Sequence, residues 1–293
     1  MKFNIIIDRW ENFYFFVETL ALSKTSFQKS CRNLWQKEIG NIPPERNQEL
    51  KNFIIIQKKY HLLNSHLKPQ FNKNKNLWKI YSSKVSKKDL GILNRVFNNW
   101  NSIFNKFYEK EFTLLQLWKK AIERHFLNKK FILQILRILS ILYNSKKQLP
   151  TAKFFLLPST KTHTRGFTIR IKNKSPAIYI YISRYPLKQS KYPIGIIFHE
   201  LIHAYFERPY FMSLILKHFS EEEQKVSIGE IACSTLFPYG VLAQKYLGIP
   251  SYKLRTNIPN KYTAPLLGLT KQYIRGKKPF DEKYLKTLYL LIE

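Results

Sequence analysis

The sequence predicts an α+β fold that is mostly helical, with a small sheet, containing an antiparallel pair, packed against one central helix. Apolar residues recur at helical spacing through residues 1–150, whereas short segments after residue 150 alternate with period two, as strands do. The central helix is predicted from the apolar segment IGIIFHELIHAYFERP, residues 194–209, which follows the alternating segments. We therefore expect a basic, all-helical region at 1–150 and a mixed region at 151–293.

The first region shows the helical spacing in three places. These are WENFYFFVETLAL (10–22), ELKNFIIIQKKYHLL (49–63) and the long stretch from 90 to 143. The polar segment KPQFNKNKN (68–76) contains a proline and is predicted to be a loop. The segment NSKKQLP (144–150) is predicted to be the boundary between the two regions.

The second region begins with three predicted strands. AKFFLLP (152–158) is the first. GFTIRIK (166–172) and AIYIYIS (177–183) both alternate, and the short turn NKSP between them favours antiparallel pairing.

Helices are predicted for the rest of the chain. The central helix is expected to begin near Ile194 and to end at Pro209, because the residue before a proline avoids the helical conformation. A short helix, FMSLILKHF (211–219), follows it. Ser220 and Glu223 have the spacing of a capping box, which predicts another helix start there.

The charge of the chain is strongly basic. Fifty basic residues stand against nineteen acidic ones, for a net charge of +31, which suggests a polyanion such as nucleic acid or an anionic membrane surface nearby. The excess is uneven: residues 1–150 hold 28 basic and 10 acidic residues, whereas residues 199–250 hold 4 and 6. Any nucleic-acid contact is therefore expected on the basic flanks.

Composition also limits the cellular setting. Two cysteines, Cys31 and Cys233, exclude a disulfide scaffold and favour a reducing, cytoplasmic compartment. The apolar run at the N-terminus is interrupted by charge, which is not typical of a signal peptide. The longest apolar stretch, 131–143, is too short and too polar for a transmembrane segment. The sequence leaves the oligomeric state open.

The central helix carries residues of a metal centre. His199 and His203 are four residues apart and lie on one helical face, so their imidazoles can hold one ion. Glu200 is one position further round and can reach a water on that ion. The pattern HELIH is H-E-x-x-H, in which two histidines bind zinc and the glutamate acts as general base.

The segment IIFHELIHAY resembles the active-site helix of the zincin metallopeptidases, and the resemblance extends over residues 167–246. In that family a small sheet precedes the helix, and its edge strand holds the substrate. The resemblance implies a zincin-like core, a Zn²⁺ cofactor and a protein or peptide substrate. It also implies that AIYIYIS is the edge strand.

A catalytic zinc needs a third protein ligand, and two residues are candidates. Glu230, 27 residues after His203, lies on an otherwise apolar helical face, where a carboxylate is costly to bury without a partner. This arrangement resembles the gluzincins, whose third ligand is a glutamate on a following helix. Many gluzincins have an acidic residue four positions later to orient the first histidine, and this chain has Ser234 there.

His218, 15 residues after His203, is the alternative ligand. That spacing resembles the SprT-like proteases, which digest proteins crosslinked to DNA. A glycine-rich segment precedes the third histidine in those proteases, and this chain has LILKHFS instead.

The favoured hypothesis is a zinc metallopeptidase with His199, His203 and Glu230 as ligands and Glu200 as general base. Tyr239 is a candidate for stabilising the oxyanion. Two alternatives stay open at this point: a SprT-like protease acting on DNA-bound proteins, and a non-enzymatic basic nucleic-acid-binding protein with a structural or degenerate metal site.

Overall fold

The computed structural model describes residues 2–22, 26–40, 42–60, 85–145, 151–159, 165–169, 176–182, 191–249 and 260–292. The loop predicted at 68–76 lies outside these described residues. Most of the predicted boundary at 144–150 does so too.

The described residues form ten α-helices and four strands. The helices are α1 (Arg9–Leu22), α2 (Ser26–Ile39), α3 (Pro44–Tyr60), α4 (Lys87–Phe126), α5 (Lys129–Leu142), α6 (Lys191–Leu201), α7 (Tyr210–His218), α8 (Glu222–Ser234), α9 (Thr263–Gly276) and α10 (Glu282–Leu290). The strands are β1 (Phe3–Ile6), β2 (Ala152–Pro158), β3 (Arg165–Ile169) and β4 (Ala177–Ile182). Short π-helical segments cover Ile202–Phe206 and Ala243–Leu247, and a 3₁₀ turn covers Asn260–Tyr262. The predicted α+β class, mostly helical with a small sheet, is confirmed.

The four strands form one mixed sheet in the order β1-β2-β4-β3. β2 is parallel to both β1 and β4, and β3 is antiparallel to β4, as the sequence predicted for that pair. The expectation that AIYIYIS is an edge strand was wrong, because β4 is enclosed by β2 on one side and β3 on the other. The edge strand beside α6 is β3.

The prediction of an all-helical region at 1–150 was wrong for β1. Phe3 to Ile6 pair with Ala152 to Phe155, so a strand near the start of the chain joins the sheet across the predicted boundary at residue 150. This strand joins the sheet because pairing with β2 buries its apolar side chains: Ile5 is only 2% exposed.

The sheet is covered on both faces. On one face Phe15 of α1 packs edge-on against Phe167 and Tyr179, and Phe27 of α2 packs against Tyr181.

The other face of the sheet carries α6. Within α6 the fully buried side chains are Ile194, Ile197, Phe198 and Leu201. This burial holds α6 against the sheet and leaves His199 and Glu200 directed along the edge next to β3.

The long helical stretch predicted between 90 and 143 consists of two helices. The break follows from Asn128, whose side-chain oxygen accepts a hydrogen bond from the Phe131 backbone N–H at 3.1 Å and so starts α5. Ser86 caps α4 in the same way, because its side-chain oxygen accepts a hydrogen bond from the Asp89 backbone N–H.

Two predicted helix starts shift in the structure. α6 begins at Lys191 rather than near Ile194, because a proline such as Pro193 is tolerated in the first turn of a helix. The helix predicted to start at Ser220 does form and begins at Glu222, but its N-cap residue is Glu221, not Ser220, and Glu221 makes no side-chain capping bond. The side chain of Glu223 lies outside the described part of the structure.

Among the described helices, none combines the length and the apolar character needed to cross a membrane. The sequence predicts that the apolar stretch 131–143 is a buried helix and not a transmembrane one. Residues 131–142 lie in α5, and Ile135 and Leu139 on its inner side are fully buried.

Candidate metal centre

The two histidines of the central helix converge. His199 is in the last turns of α6, and His203 is in the π-helical segment Ile202–Phe206 that continues it. Their Nε2 atoms are 3.1 Å apart. Single π-helical turns inside α-helices are frequent at functional sites, where they change the direction of a side chain.

Glu230 from α8 completes this group. Its Oε2 lies 3.5 Å from Nε2 of His199, and its Oε1 lies 3.4 Å from Nε2 of His203. Zinc ligands at bond lengths of about 2.0–2.2 Å in a tetrahedron are roughly 3.3–3.6 Å apart. The two separations of Glu230 fall in this range, and the 3.1 Å between the two nitrogens is slightly below it, so the group could close around one small divalent cation with a small adjustment. The side chain of Glu230, 34% exposed, is on the open side of the group.

Both imidazoles are oriented through their other ring nitrogen. Nδ1 of His199 is 2.9 Å from the backbone carbonyl oxygen of Phe237, and Nδ1 of His203 is 2.8 Å from Oε1 of Glu207. A carbonyl can only accept, so Nδ1 of the neutral His199 imidazole carries the hydrogen and its Nε2 presents a lone pair. For His203 the carboxylate of Glu207 lies at ion-pair distance from Nδ1 and favours a hydrogen on that nitrogen. Such partners fix the tautomer of metal-binding histidines.

This arrangement surrounds the two imidazoles with acceptor and negatively charged groups. Burial lowers the pKa of His199, but the Cys233 sulfur and the carboxylates of Glu230 and Glu200 outweigh burial and hold that pKa well above its ordinary value. The pKa of His203 is raised for similar reasons, with Cys233 and Glu207 outweighing burial. These surroundings favour positive charge, which either protons on the imidazoles or a divalent metal ion would supply.

A second donor set overlaps with the first. Within the described part of the chain, His199, His203 and Cys233 offer ligand atoms that lie within 4.8 Å of one another. The sulfur is 3.2 Å from Nδ1 of His199, the nitrogen that donates to Phe237. Binding a metal there would break that hydrogen bond, whereas the set with Glu230 keeps it. Of the two sets, the one with Glu230 therefore leaves the orienting hydrogen bond of His199 intact.

Glu200 lies beside the ligands, against the edge strand β3. It is 7% exposed, and the Thr168 hydroxyl donates to its Oε2 at 3.0 Å. Burial raises the pKa of Glu200, while His199, His203 and the Thr168 hydrogen bond oppose that rise. A carboxylate held in this way is suited to take a proton from a neighbouring water.

β3 reaches Glu200 because it has a glycine there. A Cβ on Gly166 would stand 2.3 Å from Cγ of Glu200, which is far inside van der Waals contact. Glycine inside a strand marks such close approaches.

A cleft runs past the candidate metal ligands and consists of two adjoining cavities, one on each side of them. One cavity of about 540 Å³ borders His199, Glu200 and Glu230 and extends to an aromatic wall. That wall is formed by Phe15, Phe27, Phe167, Tyr181, Tyr192 and Tyr239. A second cavity, of about 480 Å³, borders His203, Glu207 and Arg208 and shares Glu200 and Glu230 with the first.

The other sequence candidates lie as follows. His218, at the end of α7, has its Nε2 3.3 Å from Oε2 of Glu282 in α10 and lines neither cavity of the cleft. Tyr239 lines the larger cavity and stacks on Tyr192 at 5.3 Å. Ser234 also lines that cavity, and the orienting contact to His199 comes instead from the Phe237 carbonyl.

Replacing Glu207 by glutamine should weaken zinc binding by about 10- to 100-fold, because a neutral amide orients the His203 imidazole less strongly than a carboxylate. Competition with a chromophoric zinc chelator measures the change. Glu222→Gln, which alters an 84% exposed carboxylate on α8, is the matched control. Equal zinc affinity in the two variants would show that Glu207 does not orient His203 for metal binding.

Comparisons with models of protein families, with curated proteins and with solved structures found no match for this chain.

Proposed function

We propose that this protein is a zinc-dependent peptidase of the zincin type. The observation that carries the proposal is the convergence of Nε2 of His199, Nε2 of His203 and the Glu230 carboxylate at 3.1–3.5 Å, with the buried Glu200 beside them. A structural zinc site has four protein ligands, whereas a catalytic one has three and keeps a position open for water. The exposed side of Glu230 provides that access.

The residues divide the chemistry between them. His199, His203 and Glu230 would hold the ion, which when bound lowers the pKa of a coordinated water toward neutrality. Glu200 takes a proton from the attacking water and delivers it to the leaving amine. Thr168 holds the Glu200 carboxylate in place through its hydroxyl.

The edge strand indicates how substrate would bind. β3 pairs with β4 along one side, and no described strand pairs with its other side. An extended peptide can add to such an edge through backbone hydrogen bonds. Because the cleft continues on both sides of the metal centre, the substrate would be an internal segment of a polypeptide, and the enzyme would be an endopeptidase.

The N-terminal helices contribute to this cleft. Phe15 and Glu18 of α1 and Phe27 and Gln28 of α2 line the larger cavity opposite the ligands. Residues of the first region therefore form one wall of the proposed substrate site.

The SprT-like alternative needs His218 as the third ligand. His218 lies 3.3 Å from Glu282 and lines neither cavity of the cleft, which favours Glu230 in that role. The basic flanks alone are weak support for action on DNA-bound proteins.

Metal removal tests the proposed function. The purified chain should cleave a denatured protein and an internally quenched peptide with blocked ends. A chelator should abolish the cleavage, and about one equivalent of zinc should restore it. Cleavage that persists at full rate without metal, or the absence of cleavage with a full equivalent of zinc across a peptide library, would reject the proposal.

The glycine of β3 gives a second test. Gly166→Ala should lower the rate of peptide cleavage by about 100-fold, because the new methyl group pushes Glu200 away from the attacking water. Zinc content should stay the same, since no ligand is touched. The control is Gly91→Ala on the exposed side of α4, where a Cβ meets nothing within 4 Å. It should leave the rate unchanged and stabilise the helix by about 0.5–1 kcal/mol. Equal rates in both variants would contradict the role of Gly166.

A further inference from the structure

The junction between α4 and α5 exposes two leucines among basic residues. Leu127 is 77% exposed and Leu133 is 62% exposed. Arg124 and Lys130, both exposed, flank them. Single exposed leucines are common on protein surfaces, but two at one helix junction next to cations form a patch that is both apolar and basic.

A cavity opens further along α5. Its volume is about 350 Å³, which is within the range of small-molecule sites. Its floor is apolar, and three cations surround it. The lining residues are Gln134, Arg137, Ile138, Ile141, Leu142, Lys245, Tyr246, Tyr273, Ile274 and Lys277. No carboxylate is among them, and Arg137, Lys245 and Lys277 form no ion pair with any residue that the structure describes.

Lys130 and Leu133 of the patch share one side of α5 with part of the cavity lining, and Leu127 precedes α5 by two residues. Lys130, Gln134, Arg137 and Ile141 follow each other at intervals of four, three and four residues, and Leu133 is four residues before Arg137, so they lie on one helical face. Leu133 and Arg137 are four residues apart, about one turn or 6 Å along the axis. The two features therefore form one surface, which we call the α5 surface.

We propose that the α5 surface binds anionic phospholipids at a membrane surface. Leu127 and Leu133 would enter the boundary between headgroups and acyl chains, and Arg137, Lys245 and Lys277 would contact lipid phosphates. Basic residues near an anionic bilayer each contribute about 1 kcal/mol, and apolar side chains add to that attraction. The net charge of +31 favours the same partner.

The apolar part of the surface favours lipid over nucleic acid. Single-stranded nucleic acid is bound by cations combined with aromatic rings that stack on bases, and duplexes are bound by cations and polar groups. Neither mode uses exposed leucines or an apolar floor such as Ile138, Ile141 and Ile274. The tyrosines of the same lining already pack on other rings of the fold: Tyr246 on Phe131, and Tyr273 on Phe280 and Tyr284.

Flotation of the full chain with vesicles tests this proposal. Vesicles with 30–40% phosphatidylglycerol in phosphatidylcholine should carry the protein, pure phosphatidylcholine vesicles should carry much less, and high salt should weaken binding only in part, because the leucines are insensitive to screening. Leu127→Ser with Leu133→Ser should lower the partition coefficient by roughly tenfold. Arg137→Gln, Lys245→Gln and Lys277→Gln together should lower it by a similar factor.

Matched variants distinguish binding through the α5 surface from binding through basic residues or exposed leucines elsewhere on the protein. Leu216→Ser with Leu290→Ser alters two leucines that are 57% and 73% exposed elsewhere. Lys87→Gln, Lys88→Gln and Lys106→Gln together remove three charges from the far part of α4. Both controls should bind vesicles like the parent. If either control weakens binding as much as its partner variant, the α5 surface is not the site. Duplex DNA that displaces the protein from vesicles, with an affinity unchanged in the leucine variant, would instead indicate nucleic acid and overturn the proposal.

Discussion

Replacing Glu200 by glutamine should lower the rate of peptide cleavage by about 10³-fold while zinc content stays at one per chain. Loss of a general base or acid costs about 10²–10⁴ in rate, and Glu200 is proposed to act as both in succession. Glutamine has the same shape and can still accept the Thr168 hydroxyl that holds the carboxylate. The variant therefore removes proton transfer and leaves the site in place.

The measurement pairs a rate with a metal analysis. Initial rates on the quenched peptide are compared with zinc determined by atomic absorption on the same samples. Glu221→Gln changes an exposed carboxylate on a neighbouring segment and should keep the parental rate. An activity of Glu200→Gln within tenfold of the parent would show that the cleavage does not use this residue or comes from a contaminant.

Replacing Glu230 by glutamine should remove both zinc and activity. A neutral amide is a poor zinc ligand, and its loss leaves two histidines, one fewer protein ligand than catalytic zinc sites have. We expect the zinc affinity to fall by more than about 100-fold, because changes to residues that only orient the ligands already cost 10- to 100-fold. Dialysis against a moderate chelator should strip the variant and leave the parent loaded.

Two control variants make this result specific. Cys233→Ala tests the second donor set, and it should keep zinc because the sulfur contacts the donating nitrogen of His199. His218→Ala should also keep zinc, since its contact is with Glu282. Zinc retained in Glu230→Gln but lost in Cys233→Ala would reassign the ligand set. Zinc lost only in His218→Ala would favour the SprT-like arrangement.

The helix with His199, Glu200 and His203 could be predicted because its signal is local. The spacing of four residues places both imidazoles on one face in any helix. Glu230 could be ranked as a candidate ligand because a carboxylate on an apolar face needs a partner. The structure brings it to both histidines although it belongs to another helix.

The residues around these ligands were harder to predict, for different reasons. Glu207 follows His203 by four residues, so helical spacing alone contained a signal for its orienting contact. Gly166 interrupts an alternating strand, which indicates a close approach, although the sequence does not say to which residue. The carbonyl of Phe237 carries no side-chain signal, since every residue has one, and only the fold brings it to His199.

The position of the strands depended on contacts that no local pattern specifies. β1 is four residues long, and its run of isoleucines lacks the alternation of a half-buried strand. Its partner begins almost 150 residues later. Alternation predicted that AIYIYIS is a strand, but it cannot tell a central strand from an edge strand. β4 is central because β2, which also pairs with β1, pairs with the side of β4 opposite β3.

The parallel pairing of β1 with β2 has a consequence for the way the chain acquires its structure. Segments distant in sequence must find each other before this part of the sheet can close, and such topologies fold slowly. During synthesis, Ile5 and its neighbours have no sheet to join until the ribosome has passed residue 155. Glu230 of α8, the proposed third ligand, is synthesised later still. A growing chain therefore cannot assemble the proposed metal centre until both of these segments have been synthesised.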